Sequence, residues 1–363
     1  MIDADLVKEA VRQRKARSEA FLGYEYLRFS DDFKDVPRGT VLFQDTVIWG
    51  YPHIGRIFVL EKGIREQFSG PFWVEEKVDG YNVRILRVGN EVIALSRGGY
   101  ICPFTTDRIG DFIDLSFFED NPDLVLCAEV AGPENPYIEE SPPYVKEDIK
   151  VFVFDIMRKG SKDFLPQEEK LKMIDRYSLP SVEVFGRFTH EDIPKIKDLL
   201  LKLSEEEREG VVFKGEDGRR AKYITSYANL SDIKVTAKNM LQLPAEYYTN
   251  RLLRIVLFME EEGVERTKHL YEELGRAFID GLFEAIDQFK KEHRVSRTFR
   301  CRFHRKENAI ALIELLRRTS KHIQVIERSL ERENGMWVLT FDKVFLNMTG
   351  LLGHLLGGGL VFD

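Results

Sequence analysis

Residues 72–84 read Phe72-Trp73-Val74-Glu75-Glu76-Lys77-Val78-Asp79-Gly80-Tyr81-Asn82-Val83-Arg84. An apolar run stops at two acids, delivers a lysine at its end, turns at a glycine and resumes as a second strand from Val83 to Val88. Such a pattern predicts two strands joined by a tight turn. A lysine at a strand end is held in a cleft rather than left in water. Gly80 permits close approach of the backbone to a ligand. Asp79, Asn82 and Arg84 add an acid, an amide and a fixed cation, the equipment for an amine to attack a phosphate. Lys-x-Asp-Gly also occurs in ordinary hairpins, so the reading depends on the rest of the chain.

Five further stretches support it. Ser96-Arg97-Gly98-Gly99 ends a strand, and Ala128-Glu129-Val130-Ala131-Gly132 puts an acid into an apolar one. Phe152-Val153-Phe154-Asp155 alternates aromatic and aliphatic before an acid. Glu209-Gly210-Val211-Val212-Phe213-Lys214 brackets a strand with an acid and a base, and Arg220-Ala221-Lys222-Tyr223 closes the series. Residues two apart in a strand share a face, so Arg220 pairs with Lys222, and Phe152 with Phe154. Each stretch alone has a bland reading: a core aromatic, a helix-end acid, a solvated lysine. Their joint occurrence in this order is what carries information.

Length and composition set the frame. A chain of 363 residues suggests two or three domains, and a 43% hydrophobic share suits a sizeable core. No run is apolar enough to span a bilayer, and the charged start does not read as a secretory signal. Cys102, Cys127 and Cys301 are too dispersed for a disulfide framework or a zinc site, which fits a reducing cytoplasm. A formal charge of −7 excludes nucleic-acid binding by bulk charge but leaves room for a local basic cleft.

Along the chain, Asp5–Leu22 reads as a helix, Val41–Ile48 and Arg56–Leu60 as strands, and residues 72–233 as strand-rich. A helix is expected over Glu191–Glu206, capped at Thr189 or His190. After Pro244 the pattern turns helical: Tyr247–Glu262, then Leu270, Leu274, Phe278, Leu282 and Ile286 at four-residue spacing, then Ala309–Arg318. Glu333-Asn334-Gly335 marks a late hairpin. The reading gives an N-terminal β-rich module (1–68), a strand-rich domain holding every motif (69–240), a helical segment (241–300) and a C-terminal domain (301–363). Because the motifs end before Ile233, deleting residues 245–363 is expected to change the oligomeric state before it changes the nucleotide pocket.

The ordered motifs resemble the covalent nucleotidyltransferase superfamily of polynucleotide ligases and capping enzymes. Lys77–Gly80 matches the Lys-x-Asp-Gly motif. Asn82–Arg84, the segment Tyr51-Pro52-His53-Ile54-Gly55-Arg56-Ile57 and the helical C-terminal region resemble the archaeal ATP-dependent RNA ligases. The resemblance implies an α+β nucleotidyltransferase core with antiparallel sheets, a cytoplasmic homodimer built on the Leu270–Ile286 region, ATP with Mg²⁺ or Mn²⁺, and RNA carrying 5′-phosphate and 3′-hydroxyl ends. A DNA ligase, a GTP-dependent capping enzyme and a non-catalytic RNA-end-binding protein remain as alternatives. No motif of the C-terminal OB domain found in DNA ligases and capping enzymes is present.

The resemblance also assigns roles. Lys77 would form the lysyl-AMP, and Lys214, Lys222 and Arg220 would hold the phosphates. Glu209, with Asn82 through water, would position the metal. Glu129 would bind the ribose, Arg97 the ribose or its RNA counterpart, Phe154 the adenine face, and the main chain at Glu76 the adenine amine. Arg84 would contact the nucleotide or an RNA phosphate. A free lysine has a pKa near ~10.4, and lowering it by ~2 units would raise the neutral fraction about a hundredfold. Lys214, Lys222 and a metal are the expected causes of such a shift. The chain departs from many relatives by carrying Arg220 where they carry a lysine.

Overall fold

The computed structural model describes residues 2–44 and 46–361. Helix α1 (Ala4–Arg12) is capped by Asp3, and Arg14 at φ 59° ends it. The chain then forms the hairpin β1 (Ala16–Phe21) and β2 (Tyr24–Phe29), so the helix expected through Leu22 stops early. The reason is Leu22-Gly23, a two-residue turn with both φ angles positive, 51° and 80°. Strands β3 (Val41–Phe43) and β4 (Thr46–Ile48) complete a four-stranded N-terminal sheet in the order β1-β2-β3-β4. The expected strand at Arg56–Leu60 is only the short β5 (Gly55–Arg56), followed by helix α2 (Leu60–Gln67).

The elements that follow are β6 (Phe72–Lys77), β7 (Tyr81–Val88), β8 (Glu91–Ser96), helices α3 (Pro103–Arg108) and α4 (Ser116–Asp120), β9 (Leu124–Ala131), β10 (Lys150–Arg158), α5 (Gln167–Tyr177), β11 (Val184–Phe188), α6 (Ile193–Glu205), β12 (Gly210–Gly215) and β13 (Arg220–Ile224). They build two sheets, β10-β9-β7-β8 and β11-β6-β12-β13-β5. All pairings within them are antiparallel except β13 with β5. The capping box at Thr189 and Asp192 starts the turn that leads into α6, as the sequence predicts.

Helices α7 (Ser226–Thr236), α8 (Ala245–Glu262) and α9 (Lys268–Glu292) come next, then β14 (Ser296–Phe303), α10 (Lys306–Thr319), the hairpin β15 (Ile323–Glu333) and β16 (Met336–Phe345), and α11 (Leu346–Leu356). The last third is mostly helical and also contains a three-stranded sheet, β14-β16-β15. The hairpin turns at Asn334-Gly335, both at positive φ.

Packing explains why the last third cannot be lifted off. Val83, Ile85, Leu126 and Val153 of the motif-bearing sheet share one core with Phe299, Phe303, Leu312 and Phe341 of the C-terminal region. The other face of the same sheet packs through Leu86, Leu95 and Val125 on the N-terminal module. Removing residues 245–363 would strip a face of the catalytic core, contrary to the expectation from the motif positions. The Leu270–Ile286 face is likewise internal. Leu270, Leu274 and Phe278 pack on Ile233, Tyr248 and Ile255, and Leu282 and Ile286 pack on Phe345 and Leu352. No helix among the described residues is long and apolar enough to cross a membrane.

Candidate active site

Strand alternation builds the site. Pairings of Lys77 with Gly210, Glu75 with Val212, Val212 with Lys222, and Lys214 with Arg220 put Glu75, Lys77, Lys214, Arg220 and Lys222 on one face of the five-stranded sheet. The opposite face is apolar, with Val74, Val211, Phe213 and Tyr223 packed on α2 and α6. Across from the charged face, Asn82 of β7 stands opposite Glu129 of β9. Between the sheets lies a cavity of about 470 Å³, lined by Lys77, Asn82, Arg97, Glu129, Phe154, Lys214 and Lys222 with Tyr51, Tyr137 and Val182.

Two glycines are required by the geometry. A Cβ on Gly80 would lie 2.6 Å from the Val130 carbonyl oxygen. Gly80 thus lets two strands close on each other beside the lysine. Gly210 has φ +150°, and a Cβ there would lie 2.2 Å from the Tyr223 oxygen. That conformation sets Glu209 at the lysine.

Lys77 Nζ donates to Glu209 Oε2 at 2.6 Å. Burial pushes the ammonium down, but Glu209, Glu129 and Asp79 push it up further, so it stands above an ordinary lysine. The expected depression is therefore absent, because one ammonium faces several carboxylates. The acids absorb the strain. Burial raises Glu129 to about 8 and Glu209 to about 7, with Lys77 pulling both down. Burial and the Asp79 charge raise Glu140 to about 9. A site with surplus carboxylate and an orphaned buried acceptor, Asn82 Oδ1, suits a hard divalent cation. Among the described residues no three acidic, His or Cys side chains converge into a metal cage.

Lys214 lines the cavity and sits in a knot of charges. Its Nζ donates to Phe154 O at 2.6 Å and to Asp155 Oδ1 at 3.0 Å, and it is ion-paired with Glu75 Oε2 at 2.6 Å. Lys170 from α5 joins the same knot through Glu75 and Phe154 O. Arg220 donates to Asp155 Oδ1 at 3.0 Å and stacks on Phe164 at 3.7 Å. Tyr51 donates its hydroxyl to Asp155 Oδ2 at 2.7 Å. Arg220 thus anchors Asp155 and lies outside the lining of the cavity that holds Lys77. Lys222 is the opposite case: it has no ion-pair partner among the described residues. Burial, Lys77 and Arg56 lower it to about 8.

The remaining assignments divide. Phe154 lines the cavity, its ring set edge-on to Tyr51 at 5.3 Å, whereas Phe152 faces Tyr144 at 6.1 Å. Arg97 lines the cavity mouth, 3.1 Å from His53 Nδ1. Glu76 borders the cavity, but its carboxylate turns to the opposite face, where Arg208 and Tyr144 bind it. Arg84 is not in the site. Its guanidinium is fully buried on the carbonyls of Trp49, Gly39 and Ser96, where it ties the N-terminal module to β7. The sequence reading assigned no role to Glu75 or Lys170. Alternation alone places Glu75 beside Lys77, but nothing local marks Lys170.

Residues 70–224 match the RNA ligase family model, and residues 235–359 match the model of the Ligase Pab1020 C-terminal region. A solved archaeal ATP-dependent RNA ligase is 29% identical and superposes with a TM-score of 0.90, over 99% of this chain and 97% of that one. This chain belongs to the ATP-dependent RNA ligase family. Two other relatives span nearly the whole length. A chain from Aquifex aeolicus, provisionally named an ATP-dependent DNA ligase, is 68% identical with a TM-score of 0.97, covering 99% of this chain and 100% of that one. An uncharacterised protein of Methanocaldococcus jannaschii is 30% identical over 371 residues, 95% of this chain and 93% of that one. The RNA ligase has the α+β nucleotidyltransferase fold that its motifs imply.

Proposed function

We propose that this ligase seals RNA through an adenylated Lys77. The observation that carries the reading is the position of Lys77 Nζ, in a cavity walled by Phe154, with an acid 2.6 Å away and Lys222 beside it. Nζ attacks the α-phosphorus of ATP, the N–P bond forms, and the bond to the β-phosphate oxygen breaks to release pyrophosphate. Glu209 is placed to receive the ammonium proton, and Lys222 to hold charge on the phosphate. Glu129 and Arg97 face the ribose, and Phe154 the adenine. Glu209 and Asn82 would hold Mg²⁺ or Mn²⁺, whose charge would favour neutral Lys77 and offset that of the phosphates. A 5′-phosphate of RNA then takes AMP from Lys77, and a 3′-hydroxyl displaces the AMP. The three free, buried cysteines fit a reducing compartment, the cytoplasm.

Incubation with α-labelled ATP and a denaturing gel test the first step. Wild type should carry label, and Lys77→Ala and Lys77→Arg should carry none, since a guanidinium stays protonated. Label on either variant would overturn the assignment. The provisional name of the Aquifex relative supports a second reading, a DNA ligase. Against it stand the RNA ligase family match and a three-stranded C-terminal sheet where an OB barrel would need five strands. Matched RNA and DNA strands as substrates decide between them.

We also place a homodimer contact on α8 and α9, but on residues other than the Leu270–Ile286 face. Leu253, Val256, Tyr271, Ile279 and Phe283 are large, apolar and exposed, Phe283 at 61%. Phe283→Glu should give folded monomers by light scattering. Phe278→Glu, inside the protomer, should instead lower the melting temperature sharply. A stable dimer from Phe283→Glu would remove this surface from consideration.

A further inference from the structure

The charged face of the five-stranded sheet does not end at Lys222. Arg56 of β5 sits directly opposite Lys222, and the neighbouring Ile57 N–H donates to the Lys222 carbonyl at 2.9 Å. Among the described residues Arg56 has no carboxylate within ion-pair distance. Beyond it runs α8, which contributes Arg254 and Arg251. Arg254 is only 8% exposed; it donates to Asn229 Oδ1 at 2.9 Å and lies 5.3 Å over the Phe58 ring. Its Nε is buried with no partner. Arg251 is neutralised by Asp232 at 2.5 Å and stacked on Tyr247 at 3.2 Å. Lys222, Arg56 and Arg254 therefore form a row of cations without matching acids, in a chain whose total charge is −7.

Sequestered like charges of this kind are costly unless an anion joins them. The arginines feel that cost: burial lowers Arg254 to about 10, and repulsion from Arg56 and Arg251 adds to the shift. Arg56 is lowered for the same reasons, by burial and then by Arg251.

We propose that Arg56 and Arg254 form a subsite for the 5′-terminal phosphate of the RNA strand that receives AMP. The inference deepens the ligase reading and rests on it. Three arguments favour this ligand. Guanidinium forks suit a terminal phosphate, which offers several oxygens and carries more charge than an internal diester. The row starts at Lys222, next to the nucleophile, and continues through Arg56 to Arg254 on α8, so a phosphate held there stays within reach of the adduct. Attacking and leaving groups at phosphorus are in line, so the RNA phosphate must approach the α-phosphorus from the side away from Lys77. There its oxygen forms the new P–O bond while the N–P bond breaks and Nζ regains a proton.

The test uses full-length Arg56→Gln, Arg254→Gln and Arg56→Lys. Lysyl-AMP formation from labelled ATP is compared with single-turnover AMP transfer from the isolated adduct to a short 5′-phosphorylated RNA. Transfer at sub-saturating RNA should fall about tenfold or more beyond any fall in adduct formation. The loss should lie in apparent RNA affinity, and Arg56→Lys should recover part of it. Equal losses in both steps would assign the cations to the pyrophosphate of ATP, and no loss in either would remove the site; both outcomes overturn the proposal. If Arg254→Gln fails to fold, as judged by melting, the half-buried Arg56 decides alone. If wild type forms no lysyl-AMP, the ligase reading fails separately. Anisotropy of fluorescent RNA with a 5′-phosphate against a 5′-hydroxyl, on wild type and Arg56→Gln, then still tests the subsite: a phosphate preference lost in the variant supports it, and no preference overturns it.

Discussion

Lys214 and Lys222 stand on adjacent strands of the same sheet face and resemble each other in sequence, yet their surroundings are opposite. Lys214 is 7% exposed in its side chain, donates to Asp155 and the Phe154 carbonyl, and is ion-paired with Glu75. Despite burial, those carboxylates hold it above an ordinary lysine. Lys222 has no acid of its own and is pulled down to about 8. The contrast separates two uses of charge. At the Lys214 end the charges are closed on one another and fix the wall that carries Phe154. At the Lys222 end they are open, and only a bound anion completes them.

The largest effect that can break this contrast is on stability. Lys214→Met leaves Glu75 and Asp155 short of a partner in the interior, and should cost about 3–5 kcal/mol in urea or thermal unfolding. Lys222→Met should cost nothing and slow lysyl-AMP formation by about a hundredfold or more. Equal losses of stability in the two variants would end the distinction.

The pH dependence sharpens it. The folded-state pKa of Lys222 lies below its unfolded value, so its charge penalises the fold most below about 8, and the penalty fades as pH rises toward the unfolded value near ~10.4. The melting temperature of Lys222→Met should exceed that of wild type at pH 7 and converge with it at higher pH. Glu129 is the mirror case, raised to about 8 by burial. The ligand-free fold should lose stability between the ordinary glutamate range and pH 8. Glu129→Gln, measured in EDTA, should therefore melt ~2 °C or more above wild type at pH 8 and close to it at pH 4. A constant gap across pH would mean that Glu129 is not buried as a carboxylate.

The smallest effect is expected at Arg220. Arg220→Lys keeps the charge beside Asp155 but loses the stack on Phe164. It should cost about 1 kcal/mol and leave adduct formation within a few-fold of wild type. A loss as large as that of Lys222→Met would return Arg220 to the phosphate-binding set.

What the sequence made legible was what is local in the chain. Lys77, Gly80 and the acid at Glu209 are fixed by a strand end, a close backbone approach and a glycine at positive φ, each written in adjacent residues. The α6 start was readable from its capping box. The knot at Lys214 was not, because Glu75, Asp155 and Lys170 reach it from three other elements, and Lys170 sits on a polar helix like any solvated lysine. Arg84 misled for the same reason: its carbonyl partners lie 12 to 45 residues away in the chain. The hairpin after α1 was signalled by Leu22-Gly23, but a charged amphipathic start outweighed it.

The segment between β9 and β10 supplies Tyr137 to the cavity, and it is gripped from the far end of the chain. Arg297 meets Glu139 at 2.7 Å, Arg302 meets Glu134 at 2.6 Å, and Lys343 Nζ holds the Tyr137 carbonyl at 3.1 Å. A ribosome delivers residue 77 long before residue 343. The nascent protein thus carries its nucleophile for most of its synthesis without a finished nucleotide wall. Adenylation competence should arrive late, close to the moment when β16 emerges, and prematurely terminated products should be silent toward ATP.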